Sequence, residues 1–111
     1  MKLDIDYAKR IGYIKRNIET IQKKPGYGVN DNYFRMRGEY HQLGLNYMYK
    51  GFRLNDESDI EEAKYFMNKA LEIPESKLDG INEDSDSDIF ESLNRVNKLK
   101  RRVEKFKNNG N

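Results

Sequence analysis

The sequence predicts a small all-α protein, a bundle of four helices. Four segments place apolar residues at alternating spacings of three and four, which is the period of one helix face. No segment sustains the alternation of apolar and polar residues that is typical of a half-buried strand. At 111 residues, with 36% hydrophobic and 36% charged residues, the chain has room for one domain with a thin core. We therefore expect a single helical domain spanning residues 1–111.

The first two helices are predicted over residues 5–23 and 31–53. The apolar stripe of the first helix consists of Tyr7, Ile11, Ile14, Ile18 and Ile21. The stripe of the second helix consists of Tyr33, Met36, Tyr40, Leu43 and Tyr47. Gly38 and Gly44 lie within the predicted second helix, where each costs up to about 1 kcal/mol of stability relative to alanine if exposed. Their presence indicates close packing against another helix.

The third helix, an acidic linker and the fourth helix are predicted over residues 58–73, 75–87 and 88–107. Ser58 and Glu61 match a capping box at the start of the third helix, and Asp88 is the expected start of the fourth. The stripe of the third helix consists of Ile60, Ala63, Met67 and Ala70, broadened by Phe66. The stripe of the fourth consists of Ile89, Leu93, Val96, Leu99, Val103 and Phe106. Helices two and three are expected to form the tightest antiparallel pair.

Charge is distributed unevenly along the chain, although the net charge is only +2. Residues 1–53 carry a net +6, residues 54–94 a net −10 and residues 95–111 a net +6. In the last block, four cations follow one another along the fourth helix at helical spacing: Arg95, Lys98, Arg102 and Lys105. Two interpretations follow. Either the blocks neutralise one another through surface ion pairs, or this basic stripe stays free to contact a nucleic acid.

Residues 40–74 carry an ordered pattern of aromatic, small and bulky positions. It consists of Tyr40, Leu43, Gly44, Tyr47 and Gly51, followed by Ala63, Met67, Ala70, Leu71 and Pro74. This pattern resembles a single tetratricopeptide repeat, with a turn about seven residues longer than that of the family and with Pro74 one position early. The resemblance implies a helical hairpin whose concave face binds peptides or partner proteins. The alternative is an unrelated close-packed hairpin, in which Gly44 and Ala63 let two helix backbones approach.

Few residues support catalysis or metal binding. His41 is the single histidine and follows Arg35 by six residues, a spacing that resembles that of the HEPN family of helical ribonucleases. That resemblance implies RNA cleavage by Arg35 and His41, although Met36 stands where the family usually has a polar residue. If the chain is not such a ribonuclease, His41 is interpreted as a surface or helix-flank residue. The chain has no cysteine, and the alternating aspartates of residues 84–88 lack the sixth-position glycine and twelfth-position glutamate of a calcium loop.

The predicted function is a non-catalytic protein–protein interaction module, such as an adaptor, a chaperone-like protein or an inhibitory protein. We expect no enzyme activity, no metal and no cofactor. Tyrosine serves both in a core and at an interface, so five tyrosines are the candidate partner-binding residues: Tyr33, Tyr40, Tyr47, Tyr49 and Tyr65. A nucleic-acid-binding accessory protein that uses the basic stripe, and a helical ribonuclease, are the alternatives.

Composition also bears on location and source. The sequence contains no apolar stretch long enough for a signal peptide or a membrane span, so we expect a cytoplasmic protein without membrane contact. Abundant lysine and asparagine are typical of an AT-rich genome and favour a phage or mobile element of a low-GC bacterium. A thin core and heptad-like stripes make a second copy of the chain a further candidate partner.

Overall fold

The computed structural model describes residues 6–23, 30–73 and 85–109, and the side chains of residues 30–34 and 107–109 lie outside that description. The described residues form four helices and no strand. The helices are α1 (Tyr7–Lys23), α2 (Asn30–Leu54), α3 (Glu57–Leu71) and α4 (Asp86–Asn109). The predicted all-α fold is confirmed. Within these ranges, no helix combines the length and the apolar character needed to span a bilayer.

Helix α2 lies at the centre of the bundle and packs against each of the other three. Two apolar clusters meet along it. The first, called the α1 cluster, consists of Ile11, Ile14, Ile18, Ile21, Met36 and Leu43. The second, called the α3–α4 cluster, consists of Met48, Ile60, Ala63, Met67, Ala70, Ile89, Val96 and Val103. Tyr40 and Tyr47 contact both clusters, so these half-buried rings join the two parts of the core.

Helices α2 and α3 form the most extensive pair, which confirms the predicted partners. A Cβ atom built at Gly44 would lie 2.7 Å from Met67 Cγ and 3.0 Å from the carbonyl oxygen of Ala63. Nearer the turn, a Cβ atom at Gly51 would lie 2.9 Å from Asp59 Cβ. Later residues of α2 therefore face earlier residues of α3, as in an antiparallel pair. The two glycines let the helices approach more closely than a side chain would permit.

The turn between α2 and α3 is a Schellman motif. The Asp56 N–H donates to the Gly51 carbonyl at 2.8 Å, and the Asn55 N–H donates to the Phe52 carbonyl at 3.4 Å. Asn55 has φ 52°, in the left-handed region that asparagine tolerates better than most residues. The chain therefore reverses over two residues, which places the first turn of α3 against the last turn of α2. The longer turn expected from the resemblance is wrong, because the additional residues lengthen the helices themselves.

Asp56, and not the predicted Ser58, caps the N-terminus of α3. Its carboxylate accepts hydrogen bonds from the Ser58 hydroxyl at 2.7 Å and from the Ser58 N–H at 2.9 Å. These bonds, the hydroxyl bond foremost, lower the pKa of the Asp56 carboxyl. The predicted capping box is therefore wrong. Ser58 is the second residue of α3, and Glu61 pairs instead with Lys100 of α4.

Helix α4 begins earlier than predicted. The Ser85 hydroxyl accepts from the Asp88 N–H at 3.2 Å, and the Ser85 carbonyl accepts from the Ile89 N–H at 3.0 Å. Because Ser85 supplies both acceptors at the helix start, the first helical residue is Asp86 and not Asp88. The predicted linker therefore ends before Ser85, and its residues 75–84 lie outside the described part of the chain.

Candidate functional site

Phe66 of α3 is the centre of an aromatic cluster. Its ring stacks near that of Tyr47, with centroids 5.6 Å apart and 9° between planes, and near that of Tyr40, at 6.3 Å and 15°. Tyr65 meets Phe66 edge-on at 5.0 Å and is itself 53% exposed. Offset and edge-on arrangements are the favoured geometries of aromatic pairs. The cluster therefore orients an exposed tyrosine against half-buried rings.

A groove of about 340 Å³, called the aromatic groove, lies between α1 and α3 with α2 as its floor. Its lining consists of Lys15, Ile18, Glu19, Gln22, Tyr40, Leu43, Tyr65, Phe66 and Lys69. The Lys15 ammonium lies 5.4 Å from the centroid of the Tyr47 ring, and the Lys69 ammonium lies 5.8 Å from that of Tyr65. Both distances are within the range of cation–π attraction. The groove thus joins an aromatic wall to two cations.

The two lysines of the aromatic groove differ in their surroundings. Lys69 lies 3.7 Å from a Glu72 carboxylate oxygen, and this attraction raises the pKa of the Lys69 ammonium. Lys15 has no carboxylate within ion-pair distance among the residues that the structure describes. Lys15 is therefore the cation of the groove that can take a carboxylate from a bound molecule.

The structure brings three of the five candidate tyrosines together. Tyr40, Tyr47 and Tyr65 all contact or adjoin Phe66 at the aromatic groove. Phe66 was missed as a site residue, because its place beside the stripe of the third helix indicates only a core position. The signal that could have found it is its position directly after Tyr65, which gives α3 an aromatic pair on one edge.

Two candidate tyrosines do not belong to this group. Tyr49 is exposed, and its ring lies 5.9 Å from that of Tyr7, tilted by 35°. It faces away from Tyr47 because two residues advance a helix by about 200°. The side chain of Tyr33 lies outside the described residues.

The basic stripe of α4 is exposed along its whole length. Its members are Arg95, Lys98, Arg102 and Lys105. Within the described ranges, none of the four lies within ion-pair distance of a carboxylate. Lys100 behaves differently, since its ammonium lies 2.6 Å from the Glu61 carboxylate. This bond raises the pKa of Lys100 and lowers the pKa of Glu61, so the acidic α3 neutralises only part of the basic block.

His41 is buried, which corrects its interpretation as a surface or helix-flank residue. It is 6% exposed, and its Nε2 lies 2.8 Å from the Ser92 hydroxyl oxygen because α4 packs over this side of α2. Arg35 is exposed to solvent. The ribonuclease hypothesis therefore stays a prediction, and its two residues differ in burial.

Arg37 is the largest buried polar side chain among the residues that the structure describes, and it was not singled out from the sequence. It is 0% exposed, and its guanidinium donates to the Ile73 carbonyl, two residues after α3, and to the Asp86 carboxylate at the start of α4. A single side chain of α2 therefore ties together the ends of two other helices. This role is structural, because both acceptors belong to the chain itself.

Comparisons with protein-family models, with curated proteins and with solved structures find no match. Among the described residues, no three potential metal ligands of the His, Cys, Asp and Glu types come together. The sixth and twelfth positions of the rejected calcium loop, Ile89 and Arg95, lie within α4, and Asp84 lies outside the described residues.

Proposed function

We propose that this protein is a non-catalytic protein-interaction module that binds a segment of a partner protein in the aromatic groove. The observation that carries the proposal is the exposed Tyr65 held edge-on against Phe66 at the rim of that groove. Tyrosine fixed by its neighbours contributes contact area at a low cost in conformational entropy. Aromatic anchors in such settings are the residues that most often dominate binding energy.

The lining of the aromatic groove favours one kind of occupant. Leu43, Ile18 and Phe66 supply apolar surface that fits an apolar side chain. Lys15 beside them supplies a cation without an ion-pair partner among the described residues. We therefore commit to a segment that carries an apolar side chain next to a carboxylate. Binding of a second copy of this chain, or of a basic segment, would contradict that choice.

Affinity capture tests the groove with matched variants. The groove variant carries Lys15→Glu and Tyr65→Ala. The control variant carries Arg16→Glu and Phe90→Ala, which reverse one exposed cation of α1 and remove one exposed aromatic ring outside the groove. Partner retained from nuclease-treated native lysate should fall at least about tenfold for the groove variant and stay unchanged for the control, since anchor losses exceed about 1.4 kcal/mol.

One outcome of this experiment would contradict the proposal. Equal retention of the captured protein by the groove variant and by the wild-type chain would exclude the aromatic groove as the binding surface. Circular dichroism of both variants checks that each is folded. Because the four substituted side chains are exposed, we expect changes in stability within about 0.5 kcal/mol.

We also propose that α2 and α3 form a diverged single tetratricopeptide repeat. The close approach at Gly44 and the position of Ala63 opposite it support this kinship, because the family places small residues where its two helices meet. Pro74, which completes the pattern, lies outside the described residues. A cytoplasmic location and a source in a phage or mobile element are proposed from composition alone.

A second candidate function is nucleic-acid binding by α4. The observation that favours it is a row of four exposed cations, each without an ion-pair partner within the described part of the chain. Cations spaced along one helix can follow a phosphate backbone, and the released counterions make such binding strongly salt-dependent.

Charge-matched variants test this second candidate. One variant replaces the basic stripe with glutamine: Arg95, Lys98, Arg102 and Lys105. The control replaces four exposed cations of α1 with glutamine: Lys9, Arg10, Arg16 and Lys23. Fluorescence anisotropy with labelled RNA and DNA should show affinity lost in the α4 variant alone, with a salt slope smaller by about three to four. Equal losses in both variants would indicate only an effect of net charge.

A further inference from the structure

An exposed phenylalanine stands at the end of the basic stripe of α4. Phe106 directly follows Lys105, the last cation of the stripe, and its side chain is 58% exposed. It lies four residues after Arg102, which is about 40° further around the helix, so the ring continues the stripe. Phe52 of α2 is a second exposed phenylalanine. The stripe therefore leads from a row of cations to an aromatic ring.

Contacts made by α3 place both phenylalanines at the same end of the bundle. The Glu61 carboxylate lies 2.6 Å from the Lys100 ammonium of α4. The neighbouring residue, Ile60, has its Cδ1 atom 2.9 Å from a Cβ atom built at Gly51 of α2. The first of these contacts lies six residues before Phe106, and the second lies directly before Phe52. One turn of α3 thus connects the parts of α2 and α4 that carry the two rings.

Charge determines in which direction a bound polyanion extends along α4. Asp88 and Glu91 are exposed near the start of the helix, and Glu91 lies four residues before Arg95, in line with the stripe. These carboxylates repel phosphates. The stripe itself covers ten residue steps from Arg95 to Lys105, about 15 Å, and its four cations can neutralise about four phosphates. A polyanion on the stripe therefore lies over the second half of α4, beside the phenylalanines.

We propose that the basic stripe binds single-stranded nucleic acid, with phosphates along the four cations and an unpaired base stacked on the ring of Phe106. This inference rests on the second candidate function and specifies its ligand. Any base can stack on an aromatic side chain, and such stacking together with backbone charge is how single strands are bound without regard to sequence. In a duplex the base faces already stack on one another, so the ring gains a base only when the duplex is distorted.

Three labelled probes test the inference on the wild-type chain by fluorescence anisotropy. They are a strand of about twelve thymidines, the duplex that this strand forms with its complement, and an abasic strand of the same length. The duplex has the highest charge density, so charge alone predicts that it binds most tightly. We expect the thymidine strand to bind at least about fivefold more tightly than either other probe, because it alone offers unpaired bases. A uridine strand should bind comparably, since RNA shares the phosphates and base faces.

Substitutions at Phe106 separate stacking from apolar contact. Phe106→Leu keeps an apolar side chain and should weaken binding of the thymidine strand at least about fivefold, with the affinity for the abasic strand unchanged. Phe106→Tyr keeps the aromatic face and should bind like the wild-type chain. The matched control is Phe90→Leu, which should leave binding unchanged. Phe90 is 55% exposed on the same helix but lies about 140° around it from Arg95.

The possible outcomes distinguish this inference from the function on which it rests. Equal affinity for all three probes, or undiminished binding by Phe106→Leu, would overturn the inference and leave the phosphate contact standing. Absence of binding by every probe would overturn both. Sedimentation velocity without nucleic acid supplies a further check. A dimer that Phe106→Leu dissociates would overturn the inference, because the ring would then contact a second copy of the chain.

Discussion

The Arg37→Ala variant is expected to lose about 2–4 kcal/mol of its free energy of unfolding, from the cavity it leaves and from the hydrogen bonds it removes. The guanidinium is fully buried and donates to the Ile73 carbonyl just after α3 and to the Asp86 carboxylate at the start of α4. Alanine would leave a cavity in α2 and an unsatisfied carbonyl at Ile73. Leaving the Asp86 carboxylate without this partner costs less, because its side chain is 47% exposed and can be hydrated.

Urea denaturation followed by circular dichroism measures this loss, and Arg35→Ala is the matched control. Arg35 lies two residues earlier on the same helix and is exposed, so its replacement should change stability by no more than about 0.5 kcal/mol. Arginine and alanine have similar helix propensities, so the comparison isolates burial and hydrogen bonding. Similar losses in the two variants would show that Arg37 does not hold the helix ends together.

The Gly44→Ala variant is expected to lose about 1–3 kcal/mol of its free energy of unfolding, against the intrinsic preference of helices for alanine. The added methyl would lie 2.7 Å from Met67 Cγ and 3.0 Å from the Ala63 carbonyl oxygen. The side chain of Met67 can move aside, but the carbonyl belongs to the backbone of α3. The two helices must therefore separate slightly, which loosens the α3–α4 cluster between them.

The Gly12→Ala variant is expected to be more stable than the wild-type chain, in contrast to Gly44→Ala. A Cβ atom at Gly12 would meet nothing within 4 Å, and this residue lies exposed inside α1. Its replacement should raise the free energy of unfolding by about 0.5–1 kcal/mol through helix propensity alone. Thermal melts of the two variants give the comparison directly. A stabilised Gly44→Ala variant would contradict the close contact between α2 and α3.

The helices could be predicted from the sequence because their apolar residues keep one helical period. The isoleucines of α1 are the clearest case, since all four are buried as expected. The starts of α3 and α4 were less predictable, because each offers two capping side chains a few residues apart: Asp56 and Ser58, Ser85 and Asp88. Which of them caps depends on how the preceding chain enters the helix. Phe106, expected in the core, is exposed at the last turn of α4.

The second buried face of α2 could not be predicted from apolar periodicity. It consists of Arg37, His41, Gly44, Met48 and Gly51, which also recur at spacings of four and three. Only Met48 among them is a large apolar residue, so the face does not resemble a core stripe. Its burial arises because α3 and α4 both pack on this side, and the polar side chains find partners there.

The candidate sites depend on tertiary structure in the same way. Tyrosine content indicated an interface, but only the packing of α3 beside α1 decides that Tyr65 joins Tyr40 and Tyr47 while Tyr49 does not.

Helix α1 packs against the rest of the bundle through a single face, since its buried residues are the four isoleucines of the α1 cluster. An element held from one side can detach locally while the α3–α4 cluster stays intact. The same helix supplies one wall of the aromatic groove. An occupant of that groove would bind only the docked arrangement, so hydrogen exchange of α1 amides would slow when the groove is filled.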